Sequence, residues 1–163
     1  MPSEKAFRDR PVFVVDDDAG VLRSIQRLLK VHGFDARTFG SVDAFRALPD
    51  PDAGLCLVLD VDLNGSSGIE LSRQLTASGS LLPVIFMTAD QRTHVRRTAI
   101  AAGCLAFLTK PFSSRSLLGA IDRAITVRTR SPAGSQGASG AQAAGSAVEP
   151  ARIRTGSRDG KEE

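Results

Sequence analysis

The stretch Leu55-Cys56-Leu57-Val58-Leu59-Asp60 decides the fold. Five apolar residues follow one another and stop at a carboxylate. The breaker cluster Pro49-Asp50-Pro51-Asp52 precedes them, so the run reads as a strand buried on both faces. Two other stretches have the same build. Val12-Phe13-Val14-Val15 ends in Asp16-Asp17-Asp18, and Leu105-Ala106-Phe107-Leu108-Thr109 ends in Lys110-Pro111. Laid side by side, the three strands bring Asp16, Asp17, Asp60 and Lys110 to one edge of a sheet.

Helical periods fill the intervals. Ala19–Val31 carries Val21, Leu22, Ile25, Leu28 and Leu29 on one face and stops at His32-Gly33. Phe34–Phe39 alternates as a short strand, and Ser41 or Asp43 opens a helix to Leu48. Ile69–Ala77 turns Ile69, Leu71 and Leu75 inward. Pro83–Met87 is the fourth strand, Val95–Ala102 a helix, and Ala106–Thr109 the fifth strand. Ser113 or Ser114 caps a last helix with Leu117, Leu118, Ile121 and Ile125 at core spacing. Five β/α repeats predict an α/β fold, a doubly wound, parallel five-stranded sheet with right-handed crossovers. Ligands of such sheets bind outside the carboxyl ends of the strands. The charged strand ends all lie there.

The chain of 163 residues is 42% hydrophobic, enough for one domain with a core. A net charge of +3 with no Trp, no Tyr and no basic stripe interleaved with aromatics gives no expectation of direct nucleic-acid binding. Cys56 and Cys104 read as small buried thiols; no CxxC pair or His/Cys cluster points to zinc. His32 and His94 stand on surface helices. There is no signal-peptide core and no apolar stretch of membrane-spanning length, so a soluble, cytoplasmic chain is expected. Composition shifts near Arg130 to Ser131-Pro132-Ala133-Gly134-Ser135 and onward. Residues 1–9 are expected as an N-terminal extension, 10–128 as the folded domain, and 129–163 as a low-complexity, disordered tail.

The gathering of residue types at the edge has a chemical reading. Adjacent carboxylates repel unless a hard cation joins them, so Asp16, Asp17 and Asp60 form a candidate Mg²⁺ site. With the cation present, one carboxylate can attack a phosphoryl group. Lys110 supplies a point charge and Thr88, at the end of strand four, a hydroxyl. Singly, each motif reads as structure: Asp16-Asp17-Asp18 as a solvated helix start, Asp60 as a turn residue, Lys110-Pro111 as a surface turn. Jointly, four strand ends carry them in the right order.

Val14-Val15-Asp16-Asp17-Asp18, Leu59-Asp60-Val61-Asp62 through Gly68, Met87-Thr88-Ala89 and Phe107-Leu108-Thr109-Lys110-Pro111-Phe112 resemble the motifs of response-regulator receiver domains of two-component signalling. The run from Lys110 to Ile121 looks most like FixJ-type receivers, and the resemblance implies the flavodoxin-like strand order 2-1-3-4-5. The resemblance implies that Asp60 is the phosphoacceptor, and that Asp16, Asp17, Asp60 and the backbone carbonyl of Asp62 hold Mg²⁺. It implies that Thr88 and Lys110 hold the phosphoryl oxygens, that Phe107 is a switch aromatic, and that the Lys110–Pro111 bond is cis. Asp62 and Asp90 occupy positions that influence phosphate lifetime, with a sign the residues do not fix. Leu63-Asn64 replaces the common Met-Pro, and Asn64-Gly65 can still form a tight turn.

The resemblance also implies partners. A sensor histidine kinase or phosphotransfer protein donates the phosphoryl group. With no helix-turn-helix pattern after the last helix, a stand-alone receiver is expected. It would act as a monomer or phosphorylation-dependent dimer on a downstream protein, through the face of the fourth helix, fifth strand and fifth helix. Two alternatives stay open: a haloacid-dehalogenase-like phosphatase using Asp60 and Asp62, and a receiver regulated without phosphate. The first needs acids downstream, whereas Asp16 and Asp17 lie upstream. The second is disfavoured by the five intact key positions. No enzyme activity is expected beyond self-phosphorylation from small donors and slow self-dephosphorylation.

Overall fold

A computed structural model describes residues 2–130. In chain order the elements are α1 (Glu4–Arg8), β1 (Val12–Val15), α2 (Ala19–Val31), β2 (Ala36–Phe39), α3 (Val42–Arg46), a 3₁₀ turn at Pro51–Ala53, β3 (Cys56–Asp60), β4 (Asp62–Leu63), β5 (Ser66–Ser67), α4 (Gly68–Ala77), β6 (Val84–Thr88), α5 (Thr93–Ala101), β7 (Ala106–Thr109) and α6 (Ser114–Arg130). The five long strands form one parallel sheet in the order β2-β1-β3-β6-β7. That is the doubly wound arrangement expected from the repeats, in the 2-1-3-4-5 order that the resemblance implies. The tail expected over residues 129–163 lies outside the described residues, apart from Thr129 and Arg130, which continue α6.

The three inner strands β1, β3 and β6 are apolar up to their last residue because each feeds two cores. Val12, Val14, Cys56, Val58, Ile85 and Met87 belong to the core that holds Ile25, Leu29, Leu117 and Ile121 of α2 and α6. Phe13, Val15, Leu57, Leu59, Val84 and Phe86 belong to the core that holds residues of α3, α4 and α5. Alternate side chains point to opposite faces, so a strand covered twice has no polar phase. Phe13, Phe39 and Phe45 meet edge to face, with centroids 5.4 to 5.9 Å apart.

Local signals set the helix ends. Ser41 caps α3 by accepting from the Ala44 N–H at 3.1 Å. Ser113 caps α6 by accepting from the Ser116 N–H at 3.1 Å. Of each pair of candidates one residue is therefore selected. Cys56 is buried as expected, whereas Cys104 is only half-buried.

Two elements were not legible in advance. The β4–β5 hairpin pairs Leu63 with Ser66 across Asn64-Gly65. Both turn residues have positive φ, +41° and +85°, as the tight two-residue hairpin turn demands. The Asn64-Gly65 departure thus makes the tight turn the sequence allows. The other element is α1, within the expected extension. It buries Phe7, whose ring lies 4.8 Å from the Arg10 guanidinium carbon and 5.8 Å from that of Arg128. Arg128 is itself buried and donates to the carbonyls of Asp52 and Gly54 at 2.7 and 2.8 Å.

Candidate functional site

The run Asp16-Asp17-Asp18 divides into three tasks at the end of β1. Asp16 is fully buried, with its Oδ1 accepting from the Asp18 N–H at 2.8 Å. Asp17 is exposed at the rim. Asp18 caps α2: its Oδ1 accepts from the N–H groups of Gly20 and Val21 at 2.8 and 3.2 Å. Such a cap stabilises a helix by about 1 kcal/mol. The reading of this run as a helix start is correct for Asp18 alone.

Asp60 ends β3, 6% exposed. Its Oδ1 accepts from the Asp62 N–H at 2.9 Å. Lys110, beyond the end of β7, reaches across with Nζ 2.6 Å from Asp60 Oδ2 and 2.7 Å from Asp16 Oδ2. The Lys110–Pro111 peptide bond is cis. One carboxylate oxygen from each of Asp16, Asp17 and Asp60 lies within 4.8 Å of the others. At that separation a pair of carboxylates repels by about 3 kcal/mol at an effective dielectric of ~20. Lys110 offsets this only in part, because it is one cation among three acids. Burial pushes the Asp60 carboxyl above the usual range and the Asp16 charge adds to this, while the Lys110 ammonium and the Asp62 N–H pull it down. For Lys110 burial works against the charge, but the hydrogen bonds to Asp16 and Asp60 outweigh it and raise its pKa.

Thr88 ends β6 at the same edge, 1% exposed. Its hydroxyl accepts from the Asp90 N–H at 2.9 Å, which leaves the hydroxyl proton free to be donated. The Thr88 carbonyl accepts from the Lys110 backbone N–H at 2.7 Å. Phe107, on β7, sits in register with Phe86 and is half-buried. The structure therefore brings Asp16, Asp17, Asp60 and Lys110 into direct proximity, with Thr88 one strand away.

Two further residues shape the site. A Cβ added at Gly68 would stand 2.0 Å from the Asp60 carbonyl oxygen, so α4 can start this close to β3 only from glycine. Arg92 clasps both Asp90 oxygens, with Nε at 2.9 and 2.7 Å, and holds the Asp90 carboxyl down to about 2. Asp62 also acts on Arg92 through space. Of the two acids beside the site, only Asp90 is paired with this cation. The sequence offered only the spacing Asp90-Gln91-Arg92, which does not distinguish this clasp from a solvated loop.

The donor set is all oxygen, anionic and partly buried, which suits a hard divalent cation and not a soft metal. A scan of family models matches residues 12–122 to the response regulator receiver domain. The chain belongs to this family. Receivers generally bind Mg²⁺ at such an acidic pocket, are phosphorylated on aspartate, and work with histidine kinases in two-component systems. Over 114 residues this receiver is 35% identical to the response regulator protein TodT of Pseudomonas putida, covering 70% of this chain and 50% of TodT. It is 36% identical over 115 residues to the transcriptional regulatory protein FixJ of Bradyrhizobium diazoefficiens, covering 70% and 56%. The crystal structure of FixJ-N superposes with a TM-score of 0.67 at 34% identity, over 72% of this chain and 94% of that one. The chain spans about half the length of the curated relatives it matches. Among the described residues no helix is long and apolar enough to cross a membrane.

Proposed function

We propose that Asp60 accepts a phosphoryl group from a histidine kinase or phosphotransfer protein, and that the aspartyl phosphate switches protein contacts on the face built by α5, β7 and α6. The observation that carries this reading is the position of Lys110 Nζ, 2.6 Å from Asp60 and 2.7 Å from Asp16. An ammonium group held between two buried-edge carboxylates can follow negative charge from the carboxylate to an incoming phosphoryl oxygen.

The chemistry is a displacement. An Asp60 carboxylate oxygen attacks phosphorus, and the bond from phosphorus to the donor imidazole nitrogen breaks. The electron pair returns to the imidazole. Lys110 then pairs with the phosphoryl oxygens, and the Thr88 hydroxyl donates its free proton to another. Asp16, Asp17 and Asp60, with the Asp62 backbone carbonyl, would hold Mg²⁺, which when bound supplies charge that offsets the crowded oxygens. Movement of Thr88 toward the phosphate frees space beside half-buried Phe107, whose inward turn reshapes the α5–β7–α6 surface. The acid that shares Lys110 with Asp60 is the upstream Asp16, a wiring that supports signal carriage over phosphatase turnover.

Incubation with Mg²⁺ and acetyl phosphate, followed by intact mass, tests this. One phosphoryl group is expected, and none in Asp60→Asn. An adduct that persists in Asp60→Asn, or steady turnover of phosphate esters, overturns the reading.

A further inference from the structure

Charge is one-sided along residues 93–130. Seven basic side chains stand against one acid, Asp122. Asp122 lies 3.4 Å from Arg8 of α1, so it is occupied elsewhere. Arg96 of α5 and Arg115 and Arg123 of α6 line a groove of about 520 Å³ whose floor includes β7. All three arginines are exposed. Among the described residues none of them forms an ion pair. No carboxylate lines the groove. The surface between the arginines is apolar: Ile100 is 57% exposed, and Leu105 and Phe107 are half-buried.

We propose that this groove docks an acidic, amphipathic helical segment of another protein and does not pair with a second copy of the chain. This deepens the reading of α5–β7–α6 as the output surface and rests on it. A symmetric pairing sets the patch against itself; the groove holds three arginines and no carboxylate, so neither copy would supply a counter-charge to the other, and gathering like charges in this way is unfavourable. An acidic helix reverses that sign. Its apolar positions, spaced along one face, fill the Ile100–Leu105–Phe107 surface while its carboxylates meet the arginine rim. A nucleic acid would use the rim but not the apolar surface, and stacking is not on offer: the chain has no Trp or Tyr, and the groove's aromatic, Phe107, is half-buried.

The test titrates four probes into the isotope-labelled full chain and follows amide shifts. They are a Leu/Glu amphipathic peptide, its Leu/Lys counterpart, a DNA duplex and phosphatidylglycerol vesicles. The Leu/Glu peptide is expected to shift amides at Arg96, Ile100, Phe107 and Gly119. It should bind about tenfold tighter than each other probe, and lose about tenfold in the combined Arg96→Gln, Arg115→Gln, Arg123→Gln variant. These side chains are exposed, so the variant's melting temperature is expected to match the parent's. Equal binding of the Leu/Lys peptide, or tighter binding of DNA or vesicles at these amides, overturns the proposal. So does a dimer in the beryllofluoride-activated chain whose interface maps to them. The Asp60 adduct is read by mass on the same samples. An adduct without peptide binding refutes the groove alone; peptide binding without an adduct refutes the phosphoacceptor reading alone.

Discussion

Gly68→Ala is the most direct probe of how the fold holds the site. The new methyl carbon would stand 2.0 Å from the Asp60 carbonyl oxygen, 3.0 Å from its carbonyl carbon and 3.1 Å from Leu59 Cγ. Ordinary contact begins near 3.4 Å, so one backbone segment must move by about 1.4 Å, since a carbonyl cannot rotate aside as a side chain can. Overpacking of this kind costs about 1–3 kcal/mol, and a backbone obstacle places the substitution at the upper end. At roughly 3–5 °C per kcal/mol for a domain of this size, melting should fall by roughly 10 °C. The same displacement moves the Asp60 main chain, and a misplacement of ~1 Å can cost about 100-fold in rate. Thermal unfolding and the initial rate of acetyl phosphate labelling are the assays. Gly119→Ala is the matched control: nothing lies within 4 Å of its added Cβ, in the middle of α6. It should stabilise by about 0.5–1 kcal/mol. A Gly68→Ala protein that melts with the parent and labels at the parental rate would refute the close-approach argument.

Three other perturbations have defined outcomes. Lys110→Met removes the cation between carboxylates that lie within 4.8 Å; urea unfolding should show a loss of about 2–3 kcal/mol, partly restored by added Mg²⁺, and an unchanged midpoint would contradict the electrostatic account. Arg92→Ala releases both Asp90 oxygens; the freed carboxylate can orient water, so the phosphorylated form should hydrolyse roughly tenfold faster, short of the ~10² of a fully placed base, with Arg92→Lys intermediate and a lengthened lifetime as the opposing result. Cys56 is fully buried and its thiol is pushed up to about 12, by burial and against the pull of Arg128. The folded pKa is raised, so the stabilising effect is complete below pH ~9 and is lost as pH rises from there toward ~12. At pH ~10.5 the parent should have lost about 2 kcal/mol that Cys56→Ala does not lose, and parallel pH profiles of the two would count against it. The chain has no Tyr, so phenol titration does not mask the effect.

The site was legible because it depends on strand ends. A strand buried on both faces can be found from its composition, and its last residue then falls at the carboxyl edge whatever the neighbouring packing does. Asp60, Thr88 and Lys110 were placed on that ground, and the sheet order brought them together. The division of labour in Asp16-Asp17-Asp18 was not legible. It depends on which of the three faces Lys110 and which faces the first amides of α2, a matter of one strand residue's phase. The helix α1 was missed because it has one buried side chain, Phe7, and is held by Arg10 and Arg128 from elsewhere in the chain.

The same distinction governs the arginine groove. A search along the chain for a basic stripe interleaved with aromatics finds none, because Arg96 stands on one helix and Arg115 and Arg123 on another. The stripe exists only once α5 and α6 pack beside β7 and put Phe107 and Leu105 between them. In the proposed reading, strand ends carry the phosphoryl chemistry, and two helices assemble the surface that reads it. The two can therefore vary independently: the site residues can stay fixed while the rim charges change. Partner choice in this chain should accordingly follow the three arginines, and exchanging them for acids should redirect the groove toward basic segments while leaving Asp60 labelling at its parental rate.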